Sequence, residues 1–177
     1  ADYRAGRPRP RYVSTLRTLA GAPPIRRDLI KRRLYLVPNS LVVSRGCPHP
    51  CEYCAVQTFY KRSYRTRPVE EFVAEIDRMR SFGASRFLFL DDNPIAHPEK
   101  AKEMLRQLVP RRVQWVSQAT INIARDPELL DLVGRSGARV LSIGFESLNE
   151  ESLASIGKSF NRPSRYAEDI AKLRALG

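Results

Sequence analysis

From residue 40 onward the chain switches between two hydrophobic periods. Ser40-Leu41-Val42-Val43-Ser44 is a short β-rich run that ends at Arg45-Gly46. Pro68 then opens a stretch in which Val69, Phe72, Val73, Ile76 and Met79 recur at helical spacing, with Glu70 and Glu71 in the first turn and Gly83 just past the end. Arg86-Phe87-Leu88-Phe89-Leu90 returns to a strand. A helix is expected from near Pro98, with Ala101, Met104, Leu105 and Leu108 turned inward. Val113 to Ala119 predicts a third strand, followed by a helix that Asp126 caps and Pro127 starts, running to Gly137. Val140 to Phe145 predicts a fourth strand.

Four strand-helix units with near-continuous apolar strands predict an α/β fold, a parallel sheet covered by helices. A partial (β/α) barrel of TIM-like type suits this best, and in such folds the chemistry gathers where the C-terminal ends of the strands meet. Residues 1–39 follow neither period. Arg7-Pro8-Arg9-Pro10 and Gly21-Ala22-Pro23-Pro24 break any regular element, so this segment reads as an extended basic linker ahead of a core domain at 40–177.

Composition narrows the class. With 177 residues, 42% of them apolar, the chain can bury one sizeable core. No apolar run approaches membrane-spanning length and no charged-then-apolar signal segment opens the chain, which with reduced thiols predicts a cytoplasmic protein. The first residue is Ala1, as expected of a processed product or a fragment. The net charge of +12 is confined to the front: residues 1–67 hold 15 Lys and Arg against Asp2, Asp28 and Glu52, whereas residues 68–177 balance at 16 of each sign. Such an arm suits nucleic acid, an anionic cofactor or an acidic neighbouring domain. It lacks a recognisable nucleic-acid fold, so the solvated linker is the preferred reading.

The chain has 3 cysteines, all in Cys47-Pro-His-Pro-Cys51-Glu-Tyr-Cys54, at the end of the first predicted strand. A structural disulfide framework would use an even number spread along the chain, so this C-x3-C-x2-C loop points to a metal centre or redox chemistry. Three sulfurs can hold three irons of a 4Fe-4S cubane and leave the fourth iron open to a substrate. Two other readings stand beside it. Zinc bound by the three thiolates and His49 or His97 would be tetrahedral, although structural zinc sites usually pair two separated ligand hairpins. Cys51-Glu-Tyr-Cys54 alone would make a thioredoxin-like dithiol, which leaves Cys47 surplus.

The loop resembles that of the radical SAM superfamily, whose C-x3-C-x-aromatic-C motif holds a 4Fe-4S cluster, with Tyr53 here in the aromatic slot. The resemblance implies that Cys47, Cys51 and Cys54 are cluster ligands, that Tyr53 lies beside the adenine, and that S-adenosylmethionine chelates the open iron. One electron from the reduced cluster would then split the sulfonium to a 5'-deoxyadenosyl radical. It also implies a six-unit partial barrel, of which this chain supplies the first four units, leaving the fourth strand without its neighbour.

Further cofactor contacts follow from the resemblance at the other strand ends. Asp91-Asp92-Asn93 stands where the family grips the methionine amino group, and an Asx-type turn before Pro94 is the competing role. Ser117 and Gln118 are candidates for the methionine carboxylate or ribose, or else satisfied core polar groups. Glu146, in Gly144-Phe145-Glu146-Ser147, resembles the ribose-binding acid; the competing helix-cap role is already filled by Asn149. Arg65 and Arg67 suit the carboxylate of S-adenosylmethionine, or are surface arginines.

Pro24-Ile25-Arg26-Arg27-Asp28-Leu29, Tyr35-Leu36-Val37-Pro38-Asn39 and Ser44-Arg45-Gly46-Cys47-Pro48 are similar to the connector between a cobalamin-binding domain and the barrel in the cobalamin-dependent subfamily. Asp91-Asp92-Asn93 matches that subfamily too. No Asp-x-His-x-x-Gly cobalamin motif occurs here. The implied enzyme transfers a methyl group or rearranges a carbon skeleton on a small-molecule or lipid-like substrate, using a low-potential electron donor such as flavodoxin or ferredoxin. The alternatives are a cobalamin-independent, methylthiotransferase-like enzyme and a zinc-stabilised nucleic-acid-binding module.

Overall fold

The computed structural model describes residues 2–13 and 18–177. The parts of the predicted linker at residues 1 and 14–17 lie outside the described residues. Strands β1 (Ser40–Leu41), β4 (Arg86–Phe89), β5 (Gln114–Ala119) and β6 (Ala138–Ile143) form one parallel sheet in that order. Between β1 and β4 lie β2 (Ser44–Gly46), helix α1 (Ala55–Tyr60), β3 (Tyr64–Thr66) and α2 (Val69–Ser81). Helix α3 (Pro98–Leu108) joins β4 to β5 and α4 (Pro127–Arg135) joins β5 to β6, with α5 (Glu150–Ser155) and α6 (Tyr166–Arg174) following. Each crossover returns the chain to the same end of the sheet, so all strand C-termini open on one rim.

The helices form where the apolar period predicts them. Phe72, Ile76 and Met79 of α2 are buried, as are Ala101, Met104, Leu105 and Leu108 of α3. Asp126 accepts the Leu129 N–H at 3.0 Å, and Asn149 accepts from Ser152 at 2.8 Å, each capping its helix. Under the sheet Trp115 stacks on Phe89 with centroids 5.2 Å apart, Phe72 meets Phe89 edge-on, and the Trp115 indole donates to Ser136 Oγ.

Three expectations are corrected. The strands are buried on one face only: Phe87, Phe89 and Trp115 lie under the helices, whereas Leu88 and Val116 are half-buried and Val140 is exposed. The open face carries a cavity of about 490 Å3 lined by Leu36, Val37, Leu88 and Val116 among others, and the four-stranded parallel sheet is open, as four units of a partial barrel should be. The first predicted strand is split, because beyond Leu41 the backbone leaves the parallel sheet and re-forms as β2, paired antiparallel with β3. The linker is not wholly extended either. It makes short 3-10 turns at Arg27–Leu29 and Arg32–Leu34, and Arg27 is buried against Glu75 of α2, with Arg67 on the other side of the same carboxylate.

Candidate functional site

The split of the first strand has a cause at the end of β4. The buried Asp91 carboxylate accepts from the Val43 N–H at 3.1 Å, the Ser44 N–H, and Ser44 Oγ at 2.7 Å, replacing the sheet ladder that Val43 and Ser44 would otherwise need. Asp92 Oδ2 accepts from the Gly46 N–H at 2.9 Å. Asn93 Nδ2 stands 3.8 Å from Cys47 Sγ, within reach of sulfur's larger radius. Three consecutive residues of one turn thus hold Val43, Ser44 and Gly46, which lead into the cysteine loop, and touch Cys47, its first residue. Burial pushes the Asp91 carboxyl up to about 6, against the opposing pull of these donors. Asp91 departs from its expected role. Its oxygens face backbone donors in the interior, and it acts on the site through β2 rather than on an ammonium group.

The loop itself is tightly seated. Gly46 has φ of +89°, and a Cβ there would collide with the Ser63 carbonyl oxygen, so the entry to the loop needs glycine. Cys51 is buried, Cys47 and Cys54 are half-buried, and Cys54 is the N-cap residue of α1. Burial raises the Cys47 and Cys51 thiols; Asn93 opposes it at Cys47 and the nearby Lys158 ammonium opposes it at Cys51.

A second set of contacts closes the loop from the fourth strand end. Lys158 Nζ donates to Glu146 Oε1 at 2.7 Å and to the Tyr53 hydroxyl at 3.3 Å, joining two of the expected cofactor residues through a lysine that the sequence reading did not single out. Lys158 holds Glu146 below the usual carboxylate range, with Tyr53 adding to the effect. Glu146 itself has φ of +64°, a left-handed conformation uncommon outside glycine, at a position exposed on the rim. The Glu52 N–H donates to the Ile156 carbonyl at 3.0 Å, and Gly157, at φ of +69°, passes so close to Pro50 that a Cβ would lie 2.5 Å from its carbonyl oxygen. Buried Asn161 donates to the carbonyls of Gly144 and Phe145. The segment 156–161 is therefore a wall of the site. Its one sequence signal is a Gly-Lys pair just past a capped helix, too common to mark it.

The remaining candidates are scattered. Ser117 is buried and donates to the Phe89 carbonyl at 3.3 Å, as the core-polar reading has it, while Gln118 is exposed on β5. Arg67 is engaged with Glu75, the Glu71 carbonyl and the Val42 carbonyl, and the Arg65 guanidinium sits 5.6 Å from the Tyr60 ring centroid. His49 stacks on Phe160 with centroids 4.1 Å apart, and His97 meets Tyr64 edge-on. Among the described residues no three His, Cys, Asp or Glu side chains converge on one metal ion, so the three-thiolate zinc reading gains no support. A cubane makes a different demand: each thiolate meets its own iron, and the sulfurs need not share a centre. Three thiols on one loop, with the buried and unpartnered Asn93 Oδ1 beside them, suit such a cluster and a ligand that brings a hydrogen-bond donor.

Residues 41–177 match the family model of the radical SAM superfamily. The chain is 34% identical over 149 residues to bacteriochlorophyllide d C-12(1)-methyltransferase of Chlorobaculum tepidum, covering 81% of this chain and 32% of that protein. It is 30% identical over 157 residues to hopanoid C-2 methylase of Rhodopseudomonas palustris, covering 85% and 30%. The chain thus spans about a third of the length of these curated relatives. Among solved structures, the radical S-adenosylmethionine methyltransferase TsrM of Kitasatospora setae, with cobalamin and a [4Fe-4S] cluster bound, superposes with a TM-score of 0.63 at 21% identity. That match covers 78% of this chain and 26% of TsrM, a likeness of fold.

Proposed function

The chain belongs to the radical SAM superfamily, and on that premise we propose that its cysteine loop carries the 4Fe-4S cluster of a cobalamin-dependent methyl-transferring enzyme. The observation that carries the proposal is the placement of all three thiols on one loop at the C-terminal rim of a parallel sheet, clamped by residues 91–93. When bound, the cluster and S-adenosylmethionine supply reductive cleavage of the sulfonium to a 5'-deoxyadenosyl radical. The residues of this chain hold and orient those groups. Cys47, Cys51 and Cys54 ligate iron, and the turn at Asp91 and Asp92 fixes the backbone that aims Cys47. Asn93, and with it Asp92, receives the methionine ammonium. Tyr53 lies beside the adenine, and Glu146, held ionised by Lys158, accepts from the ribose hydroxyls. Gln118 is the rim residue left for the methionine carboxylate or ribose, while Ser117 supports β5 from within.

The proposal extends to the protein around the site. Residues 1–39 form a basic connector docked through Arg27 on α2, and residues 40–177 form the first part of the barrel. Methyl transfer with cobalamin rests on the kinship with two named methylating enzymes and on the fold shared with TsrM. The substrate is a small or lipid-like molecule, electrons come from a low-potential donor such as flavodoxin or ferredoxin, and the setting is cytoplasmic. Among the described residues no helix is long and apolar enough to cross a membrane.

Anaerobic reconstitution with iron and sulfide tests the cluster: the expected product is brown and oxygen-sensitive with about four irons per chain. Cys51→Ala should abolish it. The loaded protein, reduced at low potential, should release 5'-deoxyadenosine and methionine from S-adenosylmethionine. A colourless protein with stoichiometric zinc overturns the proposal.

A further inference from the structure

Asn93 differs from its two neighbours in what it touches. Asp91 and Asp92 accept from backbone N–H groups of residues 43 to 46, whereas Asn93 turns an amide toward the sulfur of Cys47 at 3.8 Å. The residue is 2% exposed, so water does not compete for that amide. Its backbone cannot drift away from the sulfur, because both preceding residues are pinned to β2 and the Ala96 N–H closes a turn on the Asn93 carbonyl at 3.2 Å. The sulfur is a thiol in this structure and stands in for the thiolate that ligates iron. A thiolate has lone pairs and no proton, so only the Nδ2 side of the amide can face it favourably.

We infer that Asn93 is a positioning residue for the cluster, donating an N–H···S hydrogen bond to the Cys47 thiolate and thereby raising the reduction potential of the cluster. This rests on the cluster reading above. Reduction places added electron density on the cluster and its sulfurs, and an N–H dipole directed at one of them favours the reduced form. The third position of the turn matters electrostatically as well. A carboxylate there would set a negative charge against the sulfur and oppose reduction, whereas the amide supplies a donor at no net charge. In a family whose chemistry starts with one electron leaving the cluster, this hydrogen bond sets how strong a reductant the protein must receive its electron from.

The test is an EPR-monitored redox titration of the reconstituted protein without S-adenosylmethionine, comparing the native chain with Asn93→Leu, which removes the donor at similar size, and Asn93→Asp, which replaces it with a charge. Both variants are expected to retain the cluster and to titrate at a more negative midpoint, Asn93→Asp further than Asn93→Leu. A midpoint that stays in place or moves positive in cluster-loaded variants overturns the inference. Should both variants lose the cluster, pulsed EPR on the reduced native protein, labelled with 15N in the asparagine side-chain amide, decides. A weak coupling from the label supports the hydrogen bond and its absence overturns it. A native chain that takes up no cluster would instead defeat the proposed function, so the two failures are distinct.

Discussion

Replacing Glu75 by Gln removes a single charge from the interior and should be among the most damaging changes available outside the cysteine loop. The Glu75 side chain is 4% exposed, between Arg27 at 6% and Arg67 at 10%. Burial by itself would push this carboxyl up, but hydrogen bonds from Arg67 and Arg27 outweigh it and hold the group below its usual range. Gln keeps the shape and one acceptor, yet leaves two desolvated guanidiniums without a counter-charge. Breaking a buried ion pair from one side costs about 3–5 kcal/mol, a large part of the roughly 5–15 kcal/mol that hold a domain together. With a urea slope of about 2 kcal/mol/M, the unfolding midpoint should fall by about 2 M. Trp115, the sole tryptophan, is buried against Phe89 and reports the transition by fluorescence. The sign with pH is also fixed. A carboxylate whose folded pKa is depressed contributes stability above its unfolded pKa and loses it as pH falls through the folded value, so native and Glu75→Gln proteins should converge on acidification below about pH 4. A midpoint drop under about 0.5 M, or a gap that persists unchanged in acid, would refute the argument that the triad is desolvated and ionised.

Three further outcomes follow from the site. Lys158→Met should leave iron content unchanged and weaken S-adenosylmethionine binding about tenfold, equivalent to about 1.4 kcal/mol, read from the ligand-induced change in the cluster's EPR signal; unaltered binding would detach Lys158 from the cofactor residues. Gly157→Ala, strained at its positive φ and pressed on Pro50, should lower cluster occupancy as measured by iron content and absorbance after reconstitution. Asp91→Ala should leave the Val43 and Ser44 donors unpaired at about 1–3 kcal/mol each and impair cluster uptake, whereas Asp92→Asn, which keeps an acceptor for the Gly46 N–H, should retain the cluster.

Helices α2 to α4 and the strands they join were legible in the sequence because their signals are local, whereas α1, β3 and α6 were not anticipated. Val69 to Met79 repeat at helical spacing, Asp126 precedes Pro127, and Gly83 follows α2, so these helices announce their own start, face or stop. The split between β1 and β2 was not legible, since its cause is a carboxylate 47 residues away. Arg67 and Asp91 were misread for the same reason: a charged residue near a motif looks functional until its partner is known, and Glu75 and the Ser44 backbone are those partners. Lys158 was missed because nothing in Gly-Lys-Ser says which surface the lysine will meet. The cysteine loop stood out because its spacing narrows the chemistry to a metal centre or redox pair, and the family match of residues 41–177 agrees with the resemblance its motif carries.

The anchors of the cysteine loop lie far downstream of the thiols they position. Gly46 and Cys47 are tied to residues 46 positions later, and Tyr53 is joined to Lys158 across 105. A chain emerging from the ribosome therefore presents its three cysteines well before the residues that shape them, and closing such long loops is slow compared with making local helices. On the proposed cluster reading, iron loading would accordingly be a late step, after β4 has joined the sheet and the segment beyond α5 has docked. On that reading the unfinished chain, with its three clustered thiols not yet enclosed by their anchors, would be the form most open to oxidants.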